Sequence, residues 1–363
     1  MKKFTLSDDT TRRKLAPFAS VFLGFLVGFI ILLLLGYNPI QGYGFLFHGG
    51  FRGIASGDFR QLGNVLLNTT PLILTGLSIA FAFKTGLFNI GVSGQMFFGG
   101  FCGVMFGILF ELPRFIHMPL MVIVSILGGA LWAAVPGLLK ARFKINEVVT
   151  GIMMNYIAFW GVQYGVSRWI PGRFTTTSAN IRETASLRTP WMTTLFDGSA
   201  VNLGLILALL ACVLVWFILE KTTFGFELKA VGYNPDAAHY AGMKVQRNIT
   251  FSMLIAGGLA GLAGAVHYGG FSNTLLMQTL PTEGFDGIAV ALLGLNTPLG
   301  VLLSAFFLGF MNVGGLHMQV MARIPSELVD IIISTIIYFA AISLLIQDFF
   351  KKIASKKKNG GVK

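Results

Sequence analysis

The chain is poor in the residues that build most catalytic and secreted scaffolds. It has two cysteines in 363 residues, and both, Cys102 and Cys212, fall inside apolar segments, which argues against a disulfide framework or a cysteine metal site. Charged residues make up only 12% of it, far below the share in soluble domains. It contains no G-x-x-x-x-G-K-[ST] phosphate loop, no H-E-x-x-H, no G-x-S-x-G and no paired-cysteine motif. The chain therefore has no visible means of using ATP and no recognisable catalytic centre. The five histidines, His48, His117, His239, His267 and His317, show no metal-ligand spacing. The net charge of +12 does not point to nucleic acid, because the basic residues form no stripe with interleaved aromatics.

What the sequence does have is apolar length. With 54% hydrophobic residues and a mean hydropathy of +0.73, it reads as an all-α polytopic membrane protein. At roughly 20 residues per span, helices are expected near 15–36, 62–83, 91–110, 118–139, 148–167, 201–219, 249–268, 284–297, 299–316 and 328–346. The first run lacks a small-residue cleavage site, so it is read as a retained span and not a signal peptide. Lys and Arg accumulate in cytoplasmic connections. With both termini inside, every lysine falls inside, and only Arg52, Arg60, Arg114, Arg168, Arg173, Arg182, Arg188 and Arg323 fall outside. Residues 1–346 then form one transmembrane domain with a long external loop at 168–200 and a cytoplasmic interval at 220–248, followed by a basic cytoplasmic tail at 347–363.

Polar side chains at membrane depth face a bundle interior or a water-filled path, since lipid offers them no partner. Asn89, Gln95 and Asn155 are read as pathway residues; Asn64, Gln163 and the span threonines are read as ties between helices. Two stretches, KTGLFNIGVSGQMFFGG from Lys84 and EGFDGIAVALLGLNTPLG from Glu283, set closely spaced glycines and polar residues beside a short apolar run. Broken helices at corresponding places in two halves mark a midplane site, and spans 2–5 and 7–10 have the opposite orientations an inverted repeat requires. Phe88, Phe285 and Asp286 join the pathway candidates, Asp286 with a helix-terminus role beside it. Four-residue glycine spacing at Gly99, Gly103 and Gly107, and at Gly257 and Gly261, also suits close helix packing.

The interval EKTTFGFELKAVGYNPDAAHYAGMKVQRN from Glu220 has soluble-protein character. Asn234 suits an N-cap, Pro235 the first helical position, Asp236 the positive helix end and Gly242 a left-handed stop. So short a helix is unstable alone. It is a docking element or a capped turn resting on its neighbours.

Four runs in order, GLFNIGVSGQMFFGG, INEVVTGIMMNYIAFW, ELKAVGYNPDAAHYAGM and GFDGIAVALLGLNTPLG, resemble the permease subunits of bacterial ABC importers in the branch serving simple sugars, branched-chain amino acids and nucleosides. The likeness is greatest to the nucleoside-type permeases, which often carry an acid where this chain has Ser93. The resemblance implies a multi-pass subunit of the bacterial cell membrane that binds no cofactor, with ATP used by docked ABC ATPase subunits. It also implies a second permease of different sequence and an extracytoplasmic substrate-binding lipoprotein. By the same resemblance Gly232, Asn234, Pro235, Asp236, Ala237, Ala238 and Gly242 match the ATPase-coupling segment, where Glu227 or Asp236 can meet basic groups of the partner. Nucleosides are the expected cargo and simple sugars the alternative. An ion-coupled carrier using Asp286, or an assembly subunit that transports nothing, are readings from other classes.

Overall fold

The structure, a computed structural model, describes residues 9–52, 57–277 and 279–341. The basic tail and the first lysines lie outside the described residues. A helix stands at each of the ten expected places, and no strand occurs among the described residues beyond two isolated bridges. Among the described residues six helices are long and apolar enough to cross a membrane: Arg60–Lys84 (α3), Val92–Leu109 (α4), Arg114–Phe143 (α5), Gly204–Lys221 (α8), Val245–Val266 (α11) with its continuation to Ser272, and Pro298–Ala322 (α13). The others are Asp9–Leu34 (α1), Pro39–Phe51 (α2), Glu147–Trp169 (α6), Pro190–Leu195 (α7), Thr223–Tyr233 (α9), Pro235–Tyr240 (α10), Glu283–Leu293 (α12) and Ser326–Ala341 (α14).

The chain divides into two compact units, Met1–Gly50 with Val313–Lys363, and Phe51–Asn312. In the first, Gly24 and Gly28 of α1, four residues apart, receive Ile336 and Ile332 of α14, also four apart; a Cβ at Gly28 would lie 2.7 Å from Ile332 Cγ1. Ser20 Oγ donates to the Phe339 carbonyl at 2.9 Å and Tyr43 OH to the Phe25 carbonyl at 2.8 Å. Helix α2 was not expected from hydropathy. Asn38 starts it, its Oδ1 accepting from the amides of Ile40 and Gln41 at 3.1 and 3.2 Å, with Pro39 first in the helix. Its glycines are poor helix formers, yet Gly42 and Gly49 lie against Met318, Ile324 and His317, so packing overrides propensity.

In the larger unit α3 and α11 are the most deeply buried of these helices. Around them α5 turns Leu120, Ile123, Leu127, Leu131 and Leu138 outward at helical spacing, while Met121, Ser125, Gly128, Gly129 and Ala133 face in. An apolar outer stripe of this kind is what hydrocarbon solvates. The inner contact is backbone on backbone. A Cβ at Gly99 of α4 would sit 2.6 Å from Gly261 Cα, and one at Gly129 of α5 would sit 2.7 Å from the same atom. Lipid supplies no hydrophobic drive between helices, so this close approach is what binds α4, α5 and α11 together. Ser78 Oγ, donating to the Ala256 carbonyl at 2.7 Å, and Thr85 Oγ1, donating to Ser252 Oγ at 2.8 Å, add polar ties between α3 and α11.

Gly129→Val should therefore destabilise by at least about 1–3 kcal/mol, because backbone atoms cannot rotate away. Gly161, which has open space around it, should accept Ala with no loss, or with a gain of up to ~1 kcal/mol. Thermal unfolding of the detergent-solubilised protein checks both, and equal behaviour of the two variants would contradict the glycine contact.

Candidate functional site

The polar interval folds into two helices. Thr222 begins α9, its hydroxyl accepting from the Gly225 amide at 3.0 Å and donating to the Ile218 carbonyl at 2.6 Å. Leu228 and Val231 of α9 are buried. Gly232 lies against the end of α3, where a Cβ would meet the Lys84 carbonyl and lie 3.0 Å from the Gly86 amide. Asn234 closes α9 and opens α10: its amide donates to the Ala230 carbonyl, and its Oδ1 accepts from the amides of Asp236 and Ala237, both at 3.0 Å. Pro235 follows, and Gly242 ends the turn at φ +84°, a conformation costly to residues with a Cβ. Ala238 anchors the short helix inward while Asp236, Ala237 and His239 stay exposed. Tyr233 and Tyr240, 92% and 90% exposed, stand out on the same segment. Glu227 accepts from Asn248 Nδ2 at 2.8 Å and lies 3.8 Å from Arg247.

Beside this segment is an open cleft of about 890 Å³ lined by Lys140 and Lys144 from the end of α5 and by Asp236, His239, Lys244 and Arg247. Lys140 pairs with Glu147 at 2.7 Å. Burial acts to raise the Glu147 pKa, but the hydrogen bond and charge of Lys140, with backbone amides, outweigh it and hold the carboxyl below its usual value.

The two glycine-broken stretches meet each other. Asn89 and Gln95 exchange amide hydrogen bonds at 2.9 Å in both directions. Asn155 of α6 accepts from the Gly94 amide at 2.9 Å and donates to the Ile90 carbonyl at 3.1 Å. These three side chains fasten the 85–91 loop and the first turn of α4. Ser93, fully buried, donates to the Pro281 carbonyl at 2.7 Å, and a Cβ at Gly284 would lie 2.5 Å from Ser93 Cα. The N-termini of α4 and α12 thus abut. An ionised acid at position 93 has no proton to give the Pro281 carbonyl, so the serine suits this contact. Phe88 packs on Phe83 with ring centroids 5.2 Å apart, and Phe285 is 44% exposed.

Asp286 lines a partly open cavity. This space of about 150 Å³ is walled by Asn68, Pro71 and Leu72 of α3, by His267 and Phe271, by Thr282, Glu283 and Asp286, and by Asn312 of α13. His267 Nδ1 lies 3.1 Å from Glu283 Oε1. His267–Ser272 forms a π-helical turn, and the loop after α6 clamps it from outside the cavity. The Leu187 amide donates to the Gly269 carbonyl at 3.0 Å, Arg188 Nε donates to the Gly270 carbonyl at 2.8 Å, and Arg188 Nη2 donates to the Phe271 carbonyl. Sequence reading passed over His267 and Glu283. Glu283 sits one helical turn before Asp286, a visible signal for a shared face, whereas His267 is turned inward by a π-turn that leaves no hydropathy signature.

Residues 61–341 match the family described as the branched-chain amino acid transport system / permease component. The chain is 45% identical to the guanosine ABC transporter permease protein NupP of Bacillus subtilis, over 95% of this chain and 98% of that one. It is 40% identical to the nucleoside ABC transporter permease protein NupB of Lactococcus lactis, over 98% of each. It is 32% identical to the glucose ABC transporter permease protein TsgB13 of Haloferax volcanii, over 93% of this chain and 88% of that one. No solved structure matches it.

Replacing Asn155 with Leu leaves the Gly94 amide and the Ile90 carbonyl without partners, at about 1–3 kcal/mol for each buried group. Such a variant is expected to unfold at lower temperature than wild type, and an unchanged midpoint would show that water or relaxation serves these groups instead.

Proposed function

The chain belongs to the family of branched-chain amino acid transport system permease components, and from that premise we propose that it is the membrane permease of an ABC importer for nucleosides. The observation that carries the coupling part of this reading is the capped segment α9–α10. It is too short to be stable alone, anchored from beneath by Leu228, Val231 and Ala238, and crowned by exposed Tyr233, Asp236 and Tyr240. Aromatic residues on a rigid polar platform suit a protein partner. The partner proposed is an ABC ATPase, which uses the ATP that this chain has no motif to bind. Glu227, Gly232, Asn234, Pro235, Asp236, Ala237, Ala238 and Gly242 then form the coupling element, moving as ATP closes the ATPase pair.

Ten spans with both termini cytoplasmic, and an inverted repeat of spans 2–5 and 7–10, complete the proposed architecture. Packing supports the repeat: α3 packs on α12 as α11 packs on α4, the exchange of partners expected when α3 corresponds to α11 and α4 to α12. A second permease of different sequence would complete the pathway, and a substrate-binding lipoprotein would deliver cargo near the 168–200 loop. Asn89, Gln95 and Asn155 serve the pathway by holding its broken backbone, with Phe88 and Phe285 nearby and Asp286 at the cavity.

The nucleoside cargo is supported by the two relatives named for guanosine and nucleoside transport. A simple-sugar cargo is the second reading, favoured by the glucose relative.

In cells carrying the whole transporter, Asp236→Lys is expected to lower initial nucleoside uptake by roughly tenfold or more, as reversal of a charge at an interface does, with the protein still present in the membrane. Normal uptake in that variant would end the coupling assignment. Excess unlabelled guanosine should abolish uptake of labelled guanosine while excess glucose leaves it intact; saturable uptake of labelled glucose with none of guanosine would give the cargo to sugars.

A further inference from the structure

Resting on the nucleoside reading, we infer that the cavity between α3, the π-turn and the start of α12 is a cargo site that recognises paired N–H or O–H donors of an uncharged nucleoside. Its wall brings together two carboxylates, Glu283 and Asp286, two amides, Asn68 and Asn312, and the aromatic ring of Phe271. Carboxylate and amide oxygens accept hydrogen bonds, so this lining suits a ligand rich in donors. His267 Nδ1, 3.1 Å from Glu283 Oε1, holds that carboxylate in place.

Two parts of a nucleoside offer adjacent donors that match a carboxylate. One is the ring N–H and exocyclic amine of a guanine edge, and the other is the vicinal diol of the ribose. Phe271 gives either a ring face for stacking. The volume of about 150 Å³ holds one ring at a time, so the site takes part of the cargo and leaves the remainder toward the pathway. In the proposed topology Asn68, His267, Glu283 and Asn312 all lie in the outer portions of their spans, where cargo arrives.

The test uses the full complex of this chain with its partner permease and ATPases, in lipid nanodiscs without the binding protein. Tritiated guanosine binding is measured with inosine, which lacks the exocyclic amine, and 2′,3′-dideoxyguanosine, which lacks the diol, as competitors. Saturable binding is expected, weakened roughly tenfold or more by Glu283→Gln and by Asp286→Asn, the scale of a lost charge-assisted hydrogen bond. Weak competition by inosine assigns the site to the base edge, and weak competition by the dideoxy analogue assigns it to the sugar. Equal competition by both analogues at wild-type strength overturns the inference, as does binding unmoved by either carboxylate substitution. Asn68→Ala and Asn312→Ala, on two other helices, replace any carboxylate variant that does not assemble. Guanosine uptake by the intact wild-type transporter is run alongside. Uptake without saturable binding overturns the cavity assignment alone, whereas absence of any nucleoside uptake overturns the cargo reading.

Discussion

Close approach of helix backbones at glycine is the constraint on which the larger unit depends. Gly99, Gly129 and Gly261 let α4, α5 and α11 touch main chain to main chain, and in lipid that contact replaces the hydrophobic drive that would hold a soluble bundle. The outward faces need only be apolar, as the stripe of Leu120, Ile123, Leu127, Leu131 and Leu138 on α5 is. Specificity of the fold is thus concentrated on the inner faces, where one added carbon meets backbone.

The same economy of space makes the irregular segments contiguous. Gly232 at the end of α9 lies on the backbone of Lys84 and Gly86 at the end of α3. The loop that follows is tied to α4 through Asn89 and Gln95, and the first turn of α4 presses on α12 through Ser93, Pro281 and Gly284. Glu283, next in the chain to Gly284, is held by His267 at the cavity. A displacement of α9 and α10 therefore meets an unbroken series of packed groups on its way to the cavity, with little slack at glycine contacts.

Much of this was legible from residue types. Apolar runs placed a helix at each of ten positions because burial in lipid needs a continuous length, which hydropathy measures directly. The cap at Asn234 and the stop at Gly242 were legible because both are local: an Asn side chain reaches amides two and three residues on, and a left-handed residue favours glycine whatever surrounds it. The same Asn–Pro pair at Asn38 and Pro39 starts α2, yet the glycines behind it masked that helix. Helix α9 was likewise hidden in a polar interval, because its stability comes from Leu228 and Val231 packing inward.

The sequence by itself determined the class of the protein, the places of ten of its helices and the chemistry of the cap at Asn234, all of which follow from interactions a few residues apart or from the length of an apolar run. Only the tertiary structure decided which polar residues face one another. Asn89 and Gln95 bond to each other, and Asn155 bonds to the Gly94 amide and the Ile90 carbonyl beside them. His267 and Glu283, from separate elements, are brought to a common cavity by a π-turn and an abutting helix start. The physical reason is that a hydrogen bond depends on atoms within about 3 Å. Residues far apart in the chain are set at that distance by packing, which no local pattern encodes.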